Sequence, residues 1–160
     1  MKRDVYIAVV GPSAATPAEH QLGEEVGRLI AEAGAVLVCG GLGGLMEAAA
    51  SGCARAGGRS VGILPGNTRE EANPYLTVAV ATGMGEARNA IVVRSADAVI
   101  AVAGEFGTLS EIALALKMGK PVVGLGTWEL AKGGRPVEAI VRASTPEDAV
   151  STALRLVELG

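Results

Sequence analysis

The chain has 160 residues, 49% of them apolar, with a mean hydropathy of +0.39, a net charge of −3 and a pI near 5.2. That length and apolar fraction exclude a disordered chain and support one domain that needs no disulfide or metal to hold its core. No apolar run reaches the roughly 18–20 residues of a membrane span, and the acidic balance, the lack of a Lys/Arg cluster and the presence of one Trp, one Phe and two Tyr argue against a nucleic-acid surface.

The N-terminal stretch MKRDVYIAVVGPS sets two basic residues before an apolar run, but that run, Val5–Val10, is six residues long and too short for a secretory h-region. It reads as a first strand, and the expectation is a cytoplasmic protein. Thr16-Pro17-Ala18-Glu19 follows with a Thr N-cap, Pro at the first helical position and Glu three residues on, a capping box. The helix it opens should run to about Ala33, with Gly34 as its stop. His20, the only histidine, falls in the first turn and reads as a solvated surface residue.

Next come a strand over Ala35–Cys39, the run Gly40-Gly41-Leu42-Gly43-Gly44, and a helix over about Leu45–Ala56 stopped by Gly57-Gly58. Val61–Leu64 reads as a strand, Gly66–Tyr75 as a polar loop, Thr77–Val80 as a strand and about Glu86–Ser95 as a helix. The strand Ala98–Val102 leads through Gly104-Glu105-Phe106-Gly107-Thr108 into a helix over about Leu109–Met118, which ends at Gly119 before Pro121. Val122–Leu125 is the last predicted strand and Thr127–Pro136 a surface loop. Thr145-Pro146-Glu147-Asp148 opens the final helix, whose apolar face is Val150, Ala153, Leu154 and Val157.

The strand runs are apolar nearly throughout, as strands buried on both faces require, and helices separate most of them. The expected fold is α/β: a single Rossmann-like domain over residues 1–160, in three α/β/α layers around a mostly parallel sheet of about six or seven strands. The two cysteines, Cys39 and Cys53, show no CxxC pattern and read as buried reduced thiols; with one histidine, a zinc site is not expected.

In an open parallel sheet, ligands bind beyond the carboxyl ends of the strands. Here those ends are Gly11-Pro12-Ser13, Gly40 to Gly44 before Met46, Pro65-Gly66, and Gly104 to Thr108, so glycine collects at one edge. Glycine lets backbone N–H groups come close to a ligand, and the helix that follows offers unpaired N–H groups to an anion. A single strand-to-helix turn needs glycine for geometry alone, so one such loop is weak evidence. Neither loop has dinucleotide or P-loop spacing and no Lys follows, so an ATPase is not expected.

GGLGGLMEAAASGC, followed by ARNAIVVRSADAVIAVAGEFGTLSEIALALKMGKPVV, resembles the Lonely-guy (LOG) superfamily of Rossmann-like nucleotide-binding proteins, a group that also takes in molybdenum-cofactor carriers and the core of DprA/Smf. The resemblance runs from the first strand to about Leu125. For LOG enzymes it implies phosphoribohydrolysis, the splitting of a nucleoside 5′-monophosphate into base and ribose 5-phosphate. It implies catalytic roles for Arg88 and Glu111, and ligand contacts from Gly11, Ser13, Gly40, Gly41, Gly43, Gly44, Met46, Asn89, Gly104, Glu105, Gly107 and Thr108. No cofactor is firmly expected beyond a nucleotide or phosphate ligand. A lysine-decarboxylase label carried by some members implies pyridoxal phosphate, which the pattern of Lys2, Lys117, Lys120 and Lys132 does not support.

The family's second motif, Pro-Gly-Gly-x-Gly-Thr-x-x-Glu, becomes Ala103-Gly104-Glu105-Phe106-Gly107-Thr108-Leu109-Ser110-Glu111, and its Arg-Lys pair becomes Arg88-Asn89. The site has thus gained a carboxylate and lost an ammonium. Glu111 could stabilise oxocarbenium character on a ribose or position water; equally, Thr108-x-x-Glu111 is a capping box. Arg88 could clamp phosphate or polarise a base, or lie on a solvated helix face with Glu86 and Arg94. Ser13 could meet a ligand or cap a turn. Two readings follow: a LOG-like phosphoribohydrolase, and a non-catalytic carrier of a nucleotide or a pterin-type phosphate ligand. A DNA-handling module fits least. The resemblance implies a homodimer or higher homo-oligomer, for which the helix Leu109–Met118 offers an apolar face. No metal ligand is expected.

Overall fold

The computed structural model describes residues 3–160. Seven strands form one parallel sheet: β1 (Tyr6–Val10), β2 (Val36–Cys39), β3 (Arg59–Leu64), β4 (Val78–Ala81), β5 (Ala98–Val102), β6 (Val122–Leu125) and β9 (Val141–Arg142), in the order β4-β3-β2-β1-β5-β6-β9. A separate antiparallel hairpin joins β7 (Leu130–Lys132) to β8 (Arg135–Val137). The order runs outward in opposite directions from β1 and β5, which pair with each other through Ile7↔Ala98 and Val10↔Ala101. Their two outgoing loops therefore part and leave a crevice, the switch point at which such sheets bind ligands.

Five helices cover the sheet: α1 (Pro17–Glu32), α2 (Leu45–Arg55), α3 (Asn89–Ser95), α4 (Phe106–Lys117) and α5 (Pro146–Leu159). Alternate side chains of each strand enter opposite layers. Ile7, Val9 and Leu37 join a core with Val26, Ile30, Ala49 and Ala153 of α1, α2 and α5. Ala8, Val10 and Val38 join a second core with Val92, Val93, Ile112 and Ala115 of α3 and α4. The three layers are those expected.

The α1–α2 contact is tighter than apolar patterning alone implies. A Cβ at Gly27 would stand 1.9 Å from the Ala49 carbonyl oxygen, and one at Gly52 would stand 1.9 Å from that of Glu24. The two helices pack backbone against backbone, which only glycine permits. At the start of α1 the predicted capping box is present: the Glu19 N–H donates to Thr16 Oγ1 at 3.2 Å, and the Thr16 N–H reaches the Glu19 carboxylate at 3.4 Å. Thr145 caps α5 in the same way, accepting from the Asp148 N–H at 3.1 Å.

Four expectations need correction. The β4 run is not buried on both faces: it is the edge strand, with Val78 half exposed and Val80 nearly so. Residues 85–88 form a 3₁₀ turn before α3, so the predicted third helix starts later as an α-helix. The predicted loop Thr127–Pro136 contains most of the β7–β8 hairpin. Finally, α4 begins at Phe106 rather than Leu109, with Glu105 as its N-cap. Thr108 and Glu111 therefore both lie within the helix and form no capping box. His20 is half-buried, with Nδ1 3.9 Å from a Glu24 carboxylate oxygen. Among the described residues, no helix is long and apolar enough to cross a membrane.

Candidate functional site

The loops leaving β1, β2, β5 and β6 enclose a cleft of about 860 Å³, within the usual size of small-molecule sites. Its floor is the turn from β5 into α4. Ala103 holds a left-handed φ of 47° and Gly104 a φ of 107°; a Cβ on Gly104 would come within 2.4 Å of the Thr108 Cβ. Glycine is thus required at 104 both by conformation and by space. A proline at 103, where the LOG pattern has one, would need a φ near −65° and a different turn. Glu105 has a φ of −105° and an extended backbone open to any residue, which explains why a carboxylate can stand where the family keeps glycine.

Residues 107, 108 and 111 share the side of α4 that borders the cleft, and Gly104 borders it from the turn before the helix. The first backbone bond at the helix start comes from the Leu109 N–H to the Glu105 carbonyl at 3.0 Å, and no side chain caps the helix. The N–H groups of Phe106, Gly107 and Thr108 have no acceptor among the described residues. A Cβ on Gly107 would meet nothing within 4 Å, so its missing side chain leaves the amides open from the cleft side. The start of α2 is more crowded, though the N–H groups of Met46 and Glu47 also have no acceptor among the described residues. Gly44, with φ 65°, sits so near the β1 loop that a Cβ would fall 2.3 Å from the Ser13 carbonyl oxygen, and the Leu45 N–H is spent on the Pro12 carbonyl at 3.0 Å.

Arg88 is buried, not on a solvated face. Its Nε donates to the Ile63 carbonyl at 2.9 Å, Nη2 reaches the Gly40 carbonyl at 3.5 Å, and Nη1 donates to Asn89 Oδ1. Asn89 Nδ2 in turn donates to Ser110 Oγ at 3.4 Å, and that hydroxyl donates to the Gly107 carbonyl at 2.7 Å. The chain Arg88–Asn89–Ser110 ties the start of α3 to the first turn of α4, so Arg88 meets the cleft chiefly as a buried positive charge. Glu111 lines the same cleft and makes no hydrogen bond to another described side chain. Burial pushes its carboxyl up to about 7, against the lowering pull of Arg88.

Eleven of the fourteen candidates line the cleft: Gly11, Ser13, Gly40, Met46, Arg88, Asn89, Gly104, Glu105, Gly107, Thr108 and Glu111. Gly41, Gly43 and Gly44 do not. Gly41 instead packs on Leu64 and gives its carbonyl to Asn73, whose backbone N–H donates at 2.9 Å and whose Nδ2 lies at 3.4 Å. Cleft residues missed in the sequence include Glu19, Glu86, Thr127 and Trp128. The last two follow β6, so extending the strand-end rule to that strand would have found them. Thr127 Oγ1 donates to the Ala103 carbonyl at 2.5 Å, and Trp128 Nε1 donates to the Glu105 carbonyl at 3.2 Å. Cys39 is buried, its thiol pushed up to about 11 by burial, and both cysteines are free.

Comparison with known proteins agrees with this architecture. The SLOG cluster4 family matches residues 4–150. The chain belongs to the SLOG cluster4 family. A relative in Archaeoglobus fulgidus is 45% identical over 147 residues, covering 92% of this chain and 93% of that protein. The structure of a molybdenum cofactor binding protein from the phototrophic bacterium Rippkaea orientalis superposes with a TM-score of 0.88 at 35% identity, over 98% of this chain and 99% of that one. A Moco carrier protein from Chlamydomonas reinhardtii gives a TM-score of 0.86 at 31% identity, over 99% and 100%. DNA processing protein A from Helicobacter pylori shares the fold, with a TM-score of 0.72 at 19% identity over 94% of this SLOG cluster4 chain and 80% of its own. The expected LOG-like branch, similar to molybdenum-cofactor carriers and DprA/Smf, and the Rossmann-like fold are those found.

Proposed function

We propose that this SLOG cluster4 protein binds a small phosphorylated heterocycle, of the pterin or nucleoside-monophosphate class, in the switch-point cleft, and carries it without cleaving it. The observation that supports this most strongly is the open start of α4: three unpartnered N–H groups, an uncluttered Gly107 and the positive end of a twelve-residue helix, all bordering the cleft. Those amides would take the phosphate, with the Thr108 hydroxyl beside them. At about 860 Å³, the cleft has room for a heterocycle beyond it.

The molybdenum cofactor fits these features as cargo. Its terminal phosphate suits the α4 amides and its ring suits the remaining cleft. Among the described residues no three His, Cys, Asp or Glu side chains are grouped to hold a metal, so a metal-bearing pterin would keep its metal on its own donors. The likeness to the Rippkaea and Chlamydomonas proteins, over nearly the whole of each chain, supports the carrier reading.

Phosphoribohydrolysis is the second reading, favoured by Arg88 and Glu111 lying together in the cleft. One feature weighs against it: Arg88 has its guanidinium tied to two carbonyls and Asn89. Glu111, whose carboxyl burial raises to about 7, suits general acid–base work and supports this reading.

Mass spectrometry of small molecules released on denaturing the purified protein tests the ligand class. A phosphorylated pterin or purine nucleotide is expected; a ligand with neither phosphate nor fused ring contradicts the reading. Release of free base from GMP or AMP by the wild type, lost in Glu111→Ala with binding retained, would establish the hydrolase instead.

A further inference from the structure

The chain contains one Trp and one Phe. They come from different strand ends, yet their rings meet beside the cleft, with centroids 5.6 Å apart and planes inclined by 36°. Trp128 forms part of the cleft wall. It is held in place at three points: the indole N–H on the Glu105 carbonyl, the neighbouring Thr127 hydroxyl on the Ala103 carbonyl, and the Phe106 ring against its own. Phe106 is 76% exposed, at the head of the helix that borders the site. A large aromatic surface left in water at this point is unfavourable for the free protein, and an exposed apolar patch beside a cleft marks a contact surface.

We propose that Trp128, braced by Phe106, is the stacking wall that selects a fused-ring heterocycle in the cleft. This rests on the reading that the cleft holds a phosphorylated ligand; what it adds is how the ring is recognised. The α4 amides read only the phosphate and cannot tell a sugar phosphate from a nucleotide. A flat indole offers a π-face to any fused bicyclic ring, pterin or purine, and nothing comparable to a bare sugar. Because the ring is already fixed by hydrogen bonds and by Phe106, little side-chain freedom is lost on binding. The left-handed Ala103 contributes to the same arrangement: its carbonyl accepts from Thr127, so the turn that shapes the phosphate floor also anchors the wall.

The single Trp makes the test direct. GMP, which shares its 2-amino-4-oxopyrimidine ring with pterins, and ribose 5-phosphate are each titrated into the full-length protein, with calorimetry for affinity and tryptophan emission for contact. GMP is expected to quench the emission saturably. Ribose 5-phosphate is expected to compete with GMP while leaving the emission unchanged. Trp128→Leu keeps an apolar side chain but no π-face; it should weaken GMP by roughly tenfold or more, the scale of base–aromatic stacking, and leave ribose 5-phosphate affinity as it was. Phe106→Ala, at an exposed position, should weaken GMP by a smaller factor in the same direction.

Equal loss of both probes in Trp128→Leu would make Trp128 a structural wall and overturn the proposal. So would GMP binding that neither changes the emission nor weakens in the variant, with the phosphate site left standing. If neither probe binds the wild type, the phosphorylated-ligand reading itself fails and takes the stacking wall with it.

Discussion

The two glutamates of the α4 turn differ in what surrounds them, and so in what they predict. Glu105 is exposed at the cleft rim, on ordinary backbone. Its charge is the one feature of the turn that opposes an anion, and water screens it. Glu105→Gln should therefore tighten phosphate-bearing ligands by about two- to fivefold, the scale of an exposed charge pair, as read by calorimetry at low salt; unchanged affinity would mean the side chain points away or holds part of the ligand. Glu111 is partly buried in the cleft wall, with its carboxyl raised from 4.5 to about 7. A raised carboxyl pKa means the folded state holds its proton more tightly than the unfolded chain does. The neutral form is fully compatible with the fold below about pH 4.5, and stability falls as pH rises through 7. Glu111→Gln should raise the stability on the order of 2–3 kcal/mol at pH 8, about 5–10 °C in Tm, and the gain should fade toward pH 5. A gain independent of pH would remove burial as the cause. Ligand affinity should follow the same proton: a bound phosphate favours neutral Glu111, so GMP should bind more tightly as pH falls from 8 to 6.5. Affinity that rises with pH instead would place the carboxylate on a ligand N–H rather than beside the phosphate.

At the scale of elements, α4 and the α1–α2 pair show glycine used in opposite ways. A Cβ added at Gly107 would meet nothing within 4 Å, and its φ is not left-handed, so Gly107→Ala should leave Tm unchanged or slightly raised while its methyl obstructs the cleft face and weakens phosphate binding. Gly27 lies against the backbone of α2, 1.9 Å from the Ala49 oxygen once a Cβ is added. Gly27→Ala should cost about 1–3 kcal/mol or more through overpacking, lowering Tm with no specific effect on the ligand site. These roles were only partly legible in the sequence. The Thr16 and Thr145 caps were readable because the side chain that caps is adjacent in sequence to the helix it caps. The start of α4 was not, because Glu105 enters the helix by backbone alone and Thr108-x-x-Glu111 imitates a cap three residues further on. The β7–β8 hairpin was missed because its residues are almost all exposed and carry no alternating apolar face.

For the whole molecule, the mostly parallel sheet was legible in the sequence, while its strand order was not. Runs such as Ala98–Val102 are apolar on both faces, and five of the seven parallel strands lie inside the order set by β4 and β9 at the edges. Glycine at the ends of β1, β2 and β5 located the site at the switch point. The environment of Arg88 was beyond reach, since its acceptors on Gly40 and Ile63 are 48 and 25 residues away in the chain. That environment makes Arg88 a buried brace and leaves the amides of α4 as the proposed anion site. The resulting account is of a SLOG cluster4 protein whose cleft holds a phosphorylated ring and leaves it whole. Calorimetric titration of GMP into the purified protein, followed by chromatography of the same solution, tests this most directly. The account predicts saturable binding with GMP recovered intact; absence of binding, or recovery of guanine and ribose 5-phosphate, would contradict it.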